Sequence, residues 1–188
     1  MKLTLASASP RRRELLGHLG IPFEVAPAAL DETIHPGEHA AAYVERLARA
    51  KAAGPGDLIL AADTSVVIDD EVLGKPGDDL TLGATMLRRL SGRGHQVMTG
   101  IAVSSARGLT SKVVSSEVHF RALTESEISW YVGTGEGADK AGGYALQGRA
   151  GAFITSIVGS PSNVIGLPLA ETVELLRAAG LRLPMDGE

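Results

Sequence analysis

Three stretches carry the polar residues that could do chemistry: Ser7 to Arg12, Asp31 to Asp63, and Lys75 together with Glu136 to Gln147. Their acids could hold a divalent ion, their arginines and lysines could bind phosphate oxygens, and backbone N–H groups could orient them. That is equipment for phosphoryl or nucleotidyl transfer to water, a reaction run mainly by positioning and charge neutralisation. Taken singly, each group also reads as an ordinary surface loop, and only convergence separates the two readings.

Asp63 stands out because of what surrounds it. The run Leu58-Ile59-Leu60-Ala61-Ala62 before it and Val66-Val67-Ile68 after it predict a strand covered on both faces. A carboxylate leaving such a strand must be hydrated, paired or metal-bound. The alternatives are a helix-capping or turn aspartate and, since α/β proteins place ligands at strand ends, a chemical role. At the amino-terminal side, Ser9-Pro10 predicts a helix start, with Ser9 as N-cap and Pro10 at the first helical position. Arg11, Arg12 and Arg13 in that first turn oppose the helix's positive end. Either they are solvated, or an anion such as phosphate shares the place with the free N–H groups. Lys51 lies four residues beyond Leu47 on the apolar face of a helix expected from about Glu38 to Ala53. It either snorkels to water or points its ammonium into the edge of the core.

Other chemistries fit less well. Cys is absent, which excludes thiol nucleophiles, disulfides and thiolate metal sites. His18, His35, His39, His95 and His119 are scattered rather than paired at helix spacing, with His39 and His119 expected at the surface and His95 open to either a loop position after the Arg93 turn or the start of a strand. No serine lies in a nucleophile-elbow pattern. The glycine fingerprint of dinucleotide sites and the lysine-ended phosphate loop are both missing.

The elements that must position these residues alternate early: strands at Leu3–Ala6, Phe23–Ala26 and Leu58–Ile68, with helices after each, the third from about Asp79 to Leu90. A hairpin is expected at Asp69-Asp70-Glu71, and Gly74 and Pro76 should shape a loop around Lys75. His95–Ser105 and Ser111–Phe120 alternate as two long antiparallel strands, forming a second lobe or an extension of the sheet. Thr124-Glu125-Ser126-Glu127 spells a capping box. The glycine-rich Gly133–Gly143 reads as loop, Tyr144–Leu146 and Ala152–Ile157 as strands, Ser160–Asn163 as a turn, and the last helix should start near Leu167–Leu169 and bury Val173 and Leu176, with a frayed tail after Gly180.

With 188 residues, 44% hydrophobic and 21% charged, the composition is that of a globular chain able to bury a core. A net charge of −4 and seven aromatic residues disfavour nucleic-acid binding, for want of a basic surface and of stacking platforms. No run reaches membrane-span length and no signal-peptide pattern is seen, so a cytoplasmic protein without membrane partners is expected.

Laid out in order, these motifs resemble the Maf family of nucleoside triphosphate pyrophosphatases, also called septum formation inhibitors. The resemblance runs through Ser7-Ala8-Ser9-Pro10-Arg11-Arg12, Asp31-Glu32-Thr33, the Lys51 helix, Ala62-Asp63-Thr64, Leu73-Gly74-Lys75-Pro76, Leu90-Ser91-Gly92, Phe120-Arg121, Gly135-Glu136, Asp139-Lys140-Ala141-Gly142 and Asn163 to Pro168. It implies one domain over residues 1–188 with an α/β fold similar to that of inosine-triphosphate pyrophosphatases. Such a fold has a mixed, strongly twisted sheet flanked by helices and two lobes around a central cleft. It also implies a homodimer and Mg²⁺- or Mn²⁺-dependent conversion of a nucleoside triphosphate to monophosphate and pyrophosphate. Carried onto this chain, Asp63 matches the proton acceptor, Arg12, Lys51, Lys75 and Lys140 match phosphate-handling positions, and Ser7, Ser9 and Arg11 match substrate-binding ones. Glu32, Asp63 and Asp139 are the candidate metal ligands, and Asp63 could be general base or ligand.

Arg11, Thr64 and Gln147 resemble the branch acting on dTTP and UTP, whereas the branch acting on 7-methyl-GTP tends to carry Trp, Gln and Glu there. A neutral glutamine can donate and accept at a pyrimidine edge. A non-enzymatic regulator of septum formation, binding nucleotide in the same residues without turnover, is the alternative of a different class.

Overall fold

The computed structural model describes residues 1–187. Seven strands form a mixed sheet: β1 (Leu3–Leu5), β2 (Phe23–Val25), β3 (Leu58–Ile68), β4 (Glu71–Leu73), β5 (Gly94–Ser105), β6 (Gly108–Phe120) and β7 (Ile154–Val158). Their order is β2-β1-β3-β5-β6-β7, with β4 beside β3. The helices are α1 (Pro10–Gly17), α2 (Ala40–Ala52), α3 (Leu80–Leu90), α4 (Glu125–Gly133), α5 (Pro161–Ile165) and α6 (Leu169–Ala178). The chain divides into two compact units: Met1–Asp63 with Thr99–Val114 and the residues from Gly166 on, and Thr64–Met98 with Ser115–Ile165.

In the first unit β1 runs parallel to both neighbours, Leu3 opposite Phe23 and Leu58. Parallel neighbours require crossovers, which α1 and α2 supply. Helix α2 buries Val44, Leu47, Ala48, Lys51 and Ala52, a single stripe at helical spacing. It lies very close to the sheet, because Gly100 of β5 has no side chain: a Cβ there would stand 2.3 Å from the Val44 carbonyl oxygen. Ala6, Ala48, Ala52, Ala61 and Ala102, packed with Ile59, make a core of mostly small side chains that permits this approach.

In the second unit β3 turns into β4 through Asp69 and Asp70, both at positive φ (53° and 60°). That is the hairpin conformation aspartate tolerates. Asp79 caps α3 by accepting from the Leu82 N–H at 2.9 Å, and Thr124 and Glu127 form the expected capping box on α4. The core gathers Val66, Leu87, Leu90, Val118, Ile128, Tyr131 and Phe153.

Five local expectations are revised. Ser9 occupies the N-cap of α1 without a side-chain capping bond; Ser7 Oγ, two residues back, accepts the Ser9 N–H instead, at 3.2 Å. Residues 144–146 are not a strand, since the Tyr131 hydroxyl takes the Ala145 N–H that a ladder would need. Strand β7 begins at Ile154, after a 3₁₀ turn over Arg149–Phe153. The Ser160–Asn163 segment starts helix α5. The tail is tied rather than frayed: Leu183 is buried, and Asp186 pairs with Arg177 and accepts the Leu183 N–H.

Candidate active site

The first unit holds a buried charge centre. Lys51 enters from the last turn of α2, where the helix's negative end favours a cation. Its Nζ lies 2.6 Å from Asp63 Oδ1 and 2.6 Å from Glu32 Oε1. Lys51 is 7% and Asp63 8% exposed, so the core-facing alternative holds and the snorkelling one does not. A buried ion pair must satisfy its charges locally, and this ammonium does so with two carboxylates.

Arg12 adds the second cation. Its Nε donates to the Gly166 carbonyl at 2.8 Å and its Nη1 to Ser7 Oγ at 3.2 Å. Desolvation lowers its pKa, opposed chiefly by the Asp63 charge; Arg11 lowers it further and Glu32 raises it. Ser7 is thus the hub of the amino-terminal turn, fixing the Ser9 backbone and the Arg12 fork together, while no acidic residue stands in the first turn of α1.

The Glu32 loop is held by ties that periodicity could not reveal. Thr33 donates twice to Asp31 Oδ1, and Arg46 grips Glu38 with two bonds while also donating to the Thr33 carbonyl. Tyr43 donates to the Glu32 carbonyl at 2.8 Å. Its phenol pKa is raised by desolvation and then by the charges of Asp63 and Glu32. Tyr43 belongs to this centre, yet in sequence it is one more apolar-face residue of α2.

The second unit carries Thr64, Lys75, Asp139, Lys140 and Gln147. Thr64 is the next residue of β3 after Asp63 and is partly buried. Two backbone bonds join the Lys75 loop to the Asp139–Lys140 loop: Gly142 N–H to the Gly74 carbonyl and Gly77 N–H to the Ala138 carbonyl, both 3.0 Å. Gly142 sits at φ 69° with β3 directly against it, so that a Cβ would lie 2.9 Å from Val66 Cβ. Lys140 pairs with Asp139; Lys75 and Gln147 are exposed.

His95 lies in β5, the strand reading rather than the loop one, and is 3% exposed. Its Nε2 and the Tyr144 hydroxyl share a 2.7 Å hydrogen bond, and burial, with a smaller contribution from His119, pushes its pKa down to about 4. A neutral, enclosed imidazole of this kind is a core group.

Among the described residues no three His, Asp or Glu side chains gather as a metal site. Glu32 and Asp63 nevertheless converge, both within 2.6 Å of one nitrogen. Two hard oxygen donors fit Mg²⁺ or Mn²⁺, ions that commonly take one or two carboxylates and complete their shell with substrate phosphates and water.

This α/β protein thus sets one buried carboxylate, Asp63, and one half-exposed, Glu32, beside two cations, Lys51 and Arg12. The family model described as Maf-like protein matches residues 2–179. Curated relatives include proteins named dTTP/UTP pyrophosphatase from Anaeromyxobacter sp. strain Fw109-5 (57% identical, covering 98% of this chain and 93% of the relative) and Myxococcus xanthus (55%; 97% and 94%). Another so named, from Yersinia pestis, is 50% identical over 93% of this chain and 91% of its own. Among solved structures, the Staphylococcus aureus Ham1 protein is similar with a TM-score of 0.46 and 14% identity, covering 64% of this chain and 72% of its own. The chain belongs to the Maf family.

Proposed function

We propose that the protein is a pyrophosphatase hydrolysing dTTP and UTP to the nucleoside monophosphate and pyrophosphate. The observation that carries the chemistry is the Lys51 ammonium held between Asp63 and Glu32, with Arg12 beside them. The base preference rests on Arg11, Thr64 and Gln147 and on the names of relatives more than half identical to this chain.

Asp63 accepts a proton from water as the water oxygen bonds to the α-phosphorus. The bond from that phosphorus to the bridging oxygen breaks, and pyrophosphate leaves with the electron pair. Lys51 holds Asp63 in place and offsets its charge. Arg12 and the N–H groups of the first α1 turn, which Ser9 does not cap, bind phosphate oxygens. Ser7 orients the Arg12 fork, and Ser9 and Arg11 line the same turn. On the family reading Lys75 and Lys140 are phosphate-handling cations. Glu32 and Asp63 would hold Mg²⁺ or Mn²⁺, which when bound would neutralise charge on phosphate oxygens; the family reading also carries Asp139 as an oxygen donor. A homodimer and a cytoplasmic location go with the same family reading, the first measurable by analytical ultracentrifugation.

The test is a nucleotide panel with Mg²⁺ or Mn²⁺ in which monophosphate plus pyrophosphate is resolved from diphosphate plus phosphate. Pyrophosphate from dTTP and UTP is expected. Faster turnover of 7-methyl-GTP would transfer the protein to the sister branch, and binding without pyrophosphate release from any pyrimidine triphosphate would make it a nucleotide-binding regulator.

A further inference from the structure

Within the second unit, Glu136 sits under the turn that carries Gln147. Its side chain is 20% exposed, and its carboxylate collects donors from both sides of that turn. Oε1 accepts the Arg149 N–H at 2.8 Å and the Tyr131 hydroxyl at 3.1 Å, and Oε2 faces Arg149 Nη1 at 3.5 Å. The Tyr131 oxygen in turn accepts the Ala145 N–H at 3.1 Å. The turn closes on itself through Gly148 N–H to the Ala145 carbonyl, also 3.1 Å.

The carboxylate lies so close beneath the turn that a Cβ on Gly148 would stand 2.1 Å from Oε1. The Tyr131–Glu136 pair therefore fixes the backbone at residues 145 and 149, on either side of Gln147, whose side chain is exposed. A glutamine amide can present donor and acceptor in either order. Telling the uracil or thymine edge (N3–H donor, O4 acceptor) from the cytosine edge, which reverses them, needs the amide leaving a fixed backbone in a fixed direction.

We propose that Glu136 is the positioning residue for base selection, aiming Gln147 through the 145–149 turn without touching the nucleotide. This rests on the reading of Gln147 as the residue that meets the base. In Glu136→Gln the new amide sets an N–H₂ against the Arg149 donors, and the frame loses an acceptor.

The experiment compares kcat/KM for dTTP, UTP, CTP and 7-methyl-GTP, with Mg²⁺, in the native protein, Glu136→Gln, Tyr131→Phe and Gln147→Ala. A loss of folded enzyme scales every substrate alike, so the ratio between bases isolates positioning from stability. The dTTP-to-CTP ratio is expected to fall about tenfold or more in Glu136→Gln and Gln147→Ala, since a site built to hydrogen-bond its substrate loses discrimination when that bond is misdirected. Tyr131→Phe, which removes the hydroxyl shared by Ala145 and Glu136, should move the ratio the same way and replaces Glu136→Gln if that variant fails to fold. Loss of selectivity in Gln147→Ala with an unchanged ratio in both frame variants overturns the inference and leaves the base reading standing. An unchanged ratio in Gln147→Ala overturns both.

Discussion

Removing the Lys51 ammonium should be costly, and removing Asp63 with it should restore part of the loss rather than add to it. In Lys51→Met, Asp63 stays 8% exposed with its partner gone. Breaking a buried pair by deleting one member costs about 3–5 kcal/mol. Glu32 adds little, because its side chain is 45% exposed and can turn to water, and Arg12 still attracts Asp63, so the lower bound of about 3 kcal/mol applies. Asp63→Asn keeps the shape and leaves Lys51 its Glu32 partner, at about 1 kcal/mol. The double variant buries no unpaired charge and should cost about 2 kcal/mol, a coupling of about 2 kcal/mol between the sites. Urea unfolding of the four proteins reads this directly. Thermal melts should show Lys51→Met lower by about 6–12 °C, at about 2–4 °C per kcal/mol for a chain of this length. Activity should rank differently: Asp63→Asn, the milder variant in stability, should lose about 10²–10⁴ in turnover if Asp63 takes the water's proton. Additive stability losses would refute the buried pair. Full turnover of Asp63→Asn at saturating metal would refute both the base and the ligand role.

Two further expectations concern the second unit. His95 is held at about 4, below the roughly 6.5 of an unfolded histidine. The unfolded chain therefore binds a proton first, and the contribution is intact above about pH 6.5, declines as pH falls toward 4, and amounts to on the order of 3 kcal/mol. Urea unfolding between pH 7 and 4.5 should show the native protein losing stability faster than His95→Asn, and parallel curves would contradict this. Gly142→Ala combines a left-handed residue, at about 1–2 kcal/mol, with a Cβ 2.9 Å from Val66 Cβ, an overlap worth about 1–3 kcal/mol. It should lower the melting temperature and raise KM for dTTP, because Gly142 N–H holds the Gly74 carbonyl beside Lys75; an unchanged KM would separate that loop from substrate binding.

Elements with strong local signals were legible without tertiary information. The apolar run of β3, the Pro10 start of α1, the capping box on Thr124 and the Asp69-Asp70 turn each depend on residues within a few positions of one another, and each was readable with its type and near its observed bounds. The 144–146 segment was not, because what decides it is Tyr131, whose hydroxyl takes the Ala145 N–H across an interval of fourteen residues.

The candidate site divides along the same line. Residue types alone set out the acids and cations and the phosphate chemistry they suit, and the ordered motifs carried the family. The apolar stripe of α2 left Lys51 with two readings, since a stem at that position serves a head turned to water or inward equally well. Burial against Asp63 and Glu32 decided it, twelve and nineteen positions away in the chain. Tyr43 gave no local sign at all, and Glu136 was legible only as one acid of a polar, glycine-rich stretch, with nothing to mark it as a support. An acid in a glycine-rich loop becomes a support only when the backbone it supports folds back over it, and that closure is a property of the fold.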